Sequence, residues 1–412
     1  MKDEHATLTI DADRLAGRIE SLAGIGTSRL AFSEEDRRGR TCVMDMMVDA
    51  GLEVRIDPAT NIIGRRSGTM GGPAILFGSH IDTVPDGGRY DGILGSLAGI
   101  ECLETLEDAG LETRHPLEVV VFANEEGQSF RGLMGSRAMV GGLEASDLEQ
   151  TDSHGRTLAE VLEEFGGDAA RIDQVVQSGV RAYLELHVEQ GGILESEDIS
   201  IGVVEGIVGI RYLDIRVVGN SNHAGTTPME LRRDALVAAS RFVVAVDETI
   251  RTGNFCRVGT VGKIEVHPNA RNVVPGTVGL TLGLRDMDTE RIDRTLEQLR
   301  TRALGIGEQS GVEFEIDDGE RMEPANSDKQ IVEAISKAAA RLELSSRRMP
   351  SGAGHDAQMM ARIAPMGMIF VPSAGGISHS DKEFTSPRDC ANGANVLLQT
   401  ILGIDEMSTE PT

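Results

Sequence analysis

Histidines and carboxylates recur along this chain in short groups: His80 with Asp82, then Asp91, the pair Glu125-Glu126, His187 and His379. Most of them follow an apolar stretch that reads as a buried strand, at residues 74–77, 117–122, 183–187 and 368–371. Ligands of open α/β sheets gather at the carboxyl ends of strands. Imidazole and carboxylate without thiolate is a donor set for zinc, manganese or cobalt. Taken singly, each residue has a plainer reading. His-x-Asp occurs by chance on loops, Asp91-Gly92 is a common turn, and a lone His187 or His379 is more often a satisfied structural residue. The adjacent carboxylates of Glu125-Glu126 repel each other unless a cation lies near, so one can ligate metal while the other serves as a general base. Their joint occurrence at four or five strand ends carries the argument.

The elements that must position these groups read as alternating helices and strands. An amphipathic helix is expected over 13–25, with Leu15, Ile19 and Leu22 on one face. A second helix starts after Ser33 with acidic Glu34, Glu35 and Asp36 in its first turn, carries Val43, Met44 and Met47, and stops near Gly51. Strands are expected at 52–56 and 74–77, followed by a Gly-rich loop over 85–92. A helix over 93–108 has Gly95, Ser96, Ala98 and Gly99 for close packing on a sheet. This is an α/β pattern. From about 207 the order becomes strand 207–218, helix 231–251, strands 257–266 and 277–285, helix 289–303 and strand 312–317. That β-α-β-β-α-β order is ferredoxin-like. The expected architecture is a discontinuous α/β domain, 1–207 and 323–412, with a mixed sheet flanked by helices, and an inserted domain at 208–322. The tail beyond Asp405 is expected to fray.

Composition narrows the function. The net charge of −26 disfavours nucleic acid and anionic membranes as partners, and a chain with no Trp and three Tyr lacks a base-stacking platform. Only five of the 40 basic residues are lysine, which fits either a salt-adapted surface or a genome rich in arginine codons. Cys42, Cys102, Cys256 and Cys390 form no CxxC pair, against a thiolate zinc site. The start, Met1-Lys2-Asp3-Glu4-His5, precedes no apolar run, and a cytoplasmic protein is expected.

The motifs Gly78-Ser79-His80-Ile81-Asp82-Thr83-Val84, Gly87-Gly88-Arg89-Tyr90-Asp91-Gly92, Asn124-Glu125-Glu126-Gly127 and Glu185-Leu186-His187-Val188-Glu189-Gln190-Gly191 resemble the amidase, hydantoinase and carbamoylase branch of the M20 metallopeptidase family. The same holds for Ser221-Asn222-His223-Ala224-Gly225-Thr226-Thr227-Pro228-Met229, Asn269-Ala270-Arg271-Asn272-Val273-Val274-Pro275-Gly276, Ser351-Gly352-Ala353-Gly354-His355-Asp356-Ala357 and Gly376-Ile377-Ser378-His379-Ser380, in order over nearly the whole chain. The resemblance implies two divalent cations per subunit, zinc or manganese, with cobalt or nickel as further candidates. It implies His80, Asp91 and His187 on one metal, and Asp91 bridging to a second held by Glu126 and His379. Glu125 would be the general base, with Asp82 orienting His80. His223 would reach the active site of the partner subunit of a homodimer, the inserted domain serving as lid and dimer contact with hinges near 206–209 and Pro324. Asn272 and Arg285 would hold the substrate's carboxylate and Gln190 would contact the scissile amide. Arg211 and His355 are carried over as substrate-pocket residues.

This arrangement suits amide or ureido hydrolysis. Such groups are poor electrophiles, and paired cations polarise the carbonyl and make hydroxide available at neutral pH. Glu125 would move the proton, His223 would stabilise the oxyanion, and Arg285 would pair bidentately with a carboxylate. The leading expectation is hydrolysis of an N-carbamoyl-L-amino acid, with allantoate amidohydrolase and β-ureidopropionase as alternatives and a peptidase or deacylase behind them. The stretch Phe122-Ala123-Asn124-Glu125-Glu126-Gly127 resembles carbamoylases slightly more than allantoate enzymes. A binding protein that had kept only the fold would have lost a ligand or the base, and none is lost.

Overall fold

The computed structural model describes residues 8–407. The charged start and the last residues of the tail, on which two of the expectations above fall, lie outside these. The chain divides into two units, Met1–Gly206 with Asn326–Thr412, and Ile207–Ala325.

The first unit is built on a nine-stranded mixed sheet. Its centre is four parallel strands in spatial order Leu117–Phe122, Ile75–His80, Ala182–Val188 and Met366–Val371. All four are buried along their whole length, as expected of strands covered on both faces by helices. Antiparallel strands Ile62–Arg66 and Ile201–Ile207 extend the sheet on either side. Because the central strands run the same way, their carboxyl ends share one edge.

Helix Ile93–Asp108 packs directly on this sheet. A Cβ at Gly95 would lie 2.2 Å from the carbonyl of Leu186, so the small residues do permit the close approach expected of them. Ser33 caps helix Glu34–Asp49 by accepting the Asp36 N–H. The strands Ile62–Arg66 and Ile201–Ile207 and the helices Lys329–Arg341 and Pro387–Glu406 were not anticipated. Among the described residues no helix is long and apolar enough to cross a membrane.

The second unit carries an antiparallel four-stranded sheet in spatial order Glu313–Met322, Gly209–Val218, Thr277–Asp286, Val258–His267. With helices Ala235–Arg251 and Thr289–Ser310 between them, the elements follow a β-α-β-β-α-β order. One sheet face packs Leu213, Ile215, Leu280 and Leu282 against Phe242, Leu296 and Leu299 of the helices. The alternation of buried and less buried residues along Thr277–Asp286 leaves the other face open.

Candidate active site

The carboxyl edge of the central sheet gathers His80, Asp91, Glu125, Glu126, His187 and His379. His80 closes strand Ile75–His80, and its Nδ1–H donates to the backbone carbonyl of Asp82 at 3.0 Å. His187 lies near the end of strand Ala182–Val188, and its Nδ1–H donates to the carbonyl of Val188 at 2.9 Å. A carbonyl can only accept, so both rings carry their proton on Nδ1 and present Nε2 to the site. His80 Nε2 lies 3.6 Å and His187 Nε2 3.3 Å from Asp91 Oδ1. The His187 Nε2 also accepts the Gly92 N–H at 3.1 Å.

The second oxygen of Asp91 faces elsewhere. His379 Nε2 stands 3.4 Å from Asp91 Oδ2 and 3.5 Å from Glu126 Oε1. Two three-residue groups, His80-Asp91-His187 and Asp91-Glu126-His379, therefore share one carboxylate, and within each the potential ligand atoms lie within 4.8 Å of one another. Gly92 makes the first group sterically feasible: it adopts φ +66°, and a Cβ there would sit 2.3 Å from His80 Nε2.

Glu125 and Glu126 follow strand Leu117–Phe122 through Asn124, which takes φ +52° and donates its side-chain amide to the carbonyls of Phe130 and Arg131. Glu125 Oε2 ends 3.6 Å from His80 Nε2. The Asp82 carboxylate accepts the backbone N–H groups of Glu125 at 3.2 Å and Glu126 at 3.1 Å. Its distance to His80 Nδ1 is 3.8 Å, outside hydrogen-bond range. The expected orientation of His80 by the Asp82 side chain is thus replaced by the Asp82 carbonyl, because the side chain is committed to the following loop.

The electrostatics fit cations. Burial pushes Glu125 well above the usual carboxylate range, reinforced by Glu126, and burial with Asp91 pushes Glu126 up to about 8. Burial lowers His80 to about 4, leaving a neutral ring. Burial opposes charge on Asp91, but His187, His379 and His80 outweigh it and hold its carboxyl well below the usual range. Burial likewise opposes the His187 imidazolium, and Asp91 outweighs it, raising the ring to about 9; a proton on Nε2 would displace the Gly92 N–H, and a cation at that nitrogen would take the proton's place. The hydrogen bond to Asp91 is the largest cause that lifts His379 to about 9. Crowded buried carboxylates and imidazoles aimed at one another are what a bound cation would relieve.

The other anticipated residues fall as follows. Gln190 donates its amide to Asp91 Oδ2 at 2.6 Å, while its buried Oε1 has no hydrogen-bond partner. His355 is 2 % exposed, stacks edge-on to His187 with centroids 4.5 Å apart, and has Nε2 2.8 Å from the Ser351 hydroxyl. It supports His187 from behind rather than standing open in a pocket. In the second unit, His223 is exposed; its Nδ1 accepts the N–H groups of Gly225 at 3.0 Å and Thr226 at 3.1 Å. The ring proton is therefore on Nε2. Asn272 is beside it, with its carbonyl accepting the Ala224 N–H at 2.9 Å. Arg285 lies on the open sheet face and donates to the Tyr212 hydroxyl at 3.2 Å. Arg211 corrects an expectation. It shares the parity of Leu213 and Ile215, points to the helix-covered face and pairs with Asp293 at 3.2 Å, so it is on the opposite side of the sheet from Arg285.

Three residues of the site had no anticipated role. Ser378 donates to Asp91 Oδ2 at 2.7 Å or to Glu383 Oε1 at 3.0 Å. Glu185 accepts the Ser79 hydroxyl at 2.7 Å and the Ala357 N–H at 2.9 Å, close behind His187. Glu185 was readable, since a residue two before His187 on a strand shares its face. Glu383 gave no such signal, because only chain folding brings it to Asp91.

The model of the peptidase family M20/M25/M40 matches residues 76–403. The chain belongs to the M20 family. An N-carbamoyl-L-amino acid amidohydrolase from Geobacillus stearothermophilus is 40% identical, covering 95% of this chain and 98% of that protein. An allantoate amidohydrolase from Bacillus subtilis is 36% identical, over 91% of this chain and 92% of its own length. The crystal structure of an amidase of the hydantoinase/carbamoylase family from Burkholderia multivorans superposes with a TM-score of 0.90 at 37% identity, covering 98% of this chain and 100% of the other. This M20 chain is thus a hydrolase of the hydantoinase/carbamoylase branch, with a mixed α/β fold and residue clusters able to hold metal ions.

Proposed function

We propose that this protein hydrolyses the ureido C–N bond of an N-carbamoyl-L-amino acid, giving the amino acid, CO2 and ammonia. The observation that carries the reading is the shared carboxylate: Asp91 presents one oxygen to His80 and His187 and the other to His379 beside Glu126. The likeness to carbamoyl-amino acid amidohydrolases directs the choice of substrate. His80, Asp91, His187, Glu126 and His379 would hold two divalent cations, zinc or manganese. When bound, these supply Lewis-acid polarisation of the carbonyl and a lowered pKa for water.

The chain's own residues do the rest. Glu125 takes a proton from the attacking water and delivers it to the leaving nitrogen; its Oε2, 3.6 Å from His80 Nε2, stands beside the first metal-binding group. The unpartnered Oε1 of Gln190 is an acceptor for a ureido N–H. His223, with its proton on the exposed Nε2, is a donor for the developing oxyanion, delivered to the partner subunit of a homodimer by the second unit acting as lid and contact. Arg285 and Asn272 hold the substrate carboxylate. The carbamic acid released with the amino acid breaks down to CO2 and ammonia.

A kinetic panel of N-carbamoyl-L-amino acids, allantoate and N-carbamoyl-β-alanine, with zinc or manganese, tests the substrate. The highest kcat/KM is expected for an N-carbamoyl-L-amino acid. Preference for allantoate, the substrate named for the Bacillus relative, would replace the carbamoylase reading and leave the site intact.

A further inference from the structure

The carboxylate of Glu383 is 4 % exposed and lies under the loop that carries Asp91. Its Oε2 accepts three successive backbone N–H groups, from Arg89 at 2.9 Å, Tyr90 at 2.8 Å and Asp91 at 3.2 Å. Its Oε1 lies 3.0 Å from the Ser378 hydroxyl, whose single proton goes either there or to Asp91 Oδ2 at 2.7 Å. Room for the carboxylate comes from Gly88: at φ +104°, a Cβ there would sit 2.3 Å from Glu383 Oε2.

We propose that Glu383 is a positioning residue that sets the orientation of the Asp91 carboxylate, and through it the spacing between the two metal-binding groups. The inference rests on the metal-site reading above. Asp91 and His379 come from segments far apart in sequence, and a shared carboxylate needs both of its oxygens fixed. Glu383 is the group that joins the two segments: one oxygen gathers the amides of the Asp91 loop, the other engages the residue next to His379. Three convergent amides on one carboxylate oxygen form a rigid anion nest. Removal of the carboxylate leaves the buried N–H groups of Tyr90 and Asp91 without their acceptor and frees the loop to turn. Glu383 contacts Asp91 through its backbone and through Ser378, so it acts on the metals indirectly.

The test is cation affinity. Metal-stripped wild-type protein, Glu383→Ala, Glu383→Gln and Gly88→Ala are titrated with zinc or manganese against a chromophoric chelator, alongside Tm, kcat and KM. Glu383→Ala and Gly88→Ala are expected to bind about 10–100-fold more weakly, the range for partners that orient metal ligands. The kcat should fall at fixed cation while KM changes less. Glu383→Gln, which keeps the volume and one acceptor oxygen, should lie between them and wild type, and it serves if Glu383→Ala does not fold. Wild-type affinity in every variant that folds, with only Tm lowered, would reduce Glu383 to a loop staple and overturn the proposal. Wild-type protein that binds no cation would overturn the metal-site reading itself, and this inference with it.

Discussion

Asp82 holds Glu125 by its backbone, with Asp82 Oδ1 accepting the Glu125 N–H at 3.2 Å while Oδ2 takes the neighbouring N–H of Glu126 at 3.1 Å. Both carboxylates of the pair are therefore presented by one buried anion at the end of the adjacent strand. Asp82→Asn keeps the shape but turns one acceptor into a donor facing a buried N–H. An unmade buried hydrogen bond of this kind costs about 1–3 kcal/mol. The variant should lose Tm and roughly 10–100-fold in kcat through misplacement of Glu125. His80 should still bind metal, since its Nδ1–H is held by a carbonyl that the substitution leaves in place. Loss of metal with an unchanged orientation of Glu125 in a crystal structure of the variant would contradict this division of roles.

Gly92 should be intolerant of any side chain. Gly92→Ala forces a Cβ to within 2.3 Å of His80 Nε2 and strains a backbone at φ +66°. Elemental analysis should find the His80-Asp91-His187 site depleted while the fold persists by circular dichroism. Full metal content in this variant would show that His80 Nε2 is not a ligand.

Arg285 and Arg211, on the two central strands of the second unit's sheet, should behave differently. Arg285→Ala should raise KM for carboxylate-bearing substrates about tenfold or more, the loss of a charged hydrogen bond worth about 1.5–3 kcal/mol. Arg211→Ala removes a pair with the largely exposed Asp293 on the helix-covered face, and should lower Tm slightly with KM unchanged. A larger KM effect from Arg211 than from Arg285 would contradict the facing assigned here.

His223 provides a complementation test. Glu125→Gln and His223→Ala homodimers should each be nearly inactive. If His223 serves the partner's site, subunit exchange between them creates mixed dimers with one intact site, and activity should recover to about a quarter of wild type under random exchange. No recovery after verified exchange would place His223 in its own subunit's site or outside the chemistry.

Much of this architecture was legible because the decisive patterns are local. The run Leu117–Phe122, apolar except for Glu118, reads as a strand buried on both faces, and Ser33 with its acidic followers reads as a helix start. The ligand positions were legible because each follows such a strand. What escaped is what tertiary contact decides. Arg211 and Tyr212 are adjacent, and only the pairing of strand Gly209–Val218 with its neighbours shows which of them faces Arg285. Asp82 was expected to hold an imidazole two residues away, yet its side chain is captured by two amides more than forty residues along the chain. Strand Ile62–Arg66 was hidden by its polar second half, Arg65 and Arg66, which engage Glu118 and Glu107.

The central claim is that Glu125 is the base at a two-cation site, and a Glu125→Gln variant tests it most directly. Elemental analysis of wild-type and variant protein should find two divalent cations per chain in each. Ammonia release from an N-carbamoyl-L-amino acid should then be lower in the variant by about 10²–10⁴-fold, the usual contribution of a positioned acid–base group. Full activity in a metal-replete variant, or activity in wild-type protein stripped of both cations, would contradict the account.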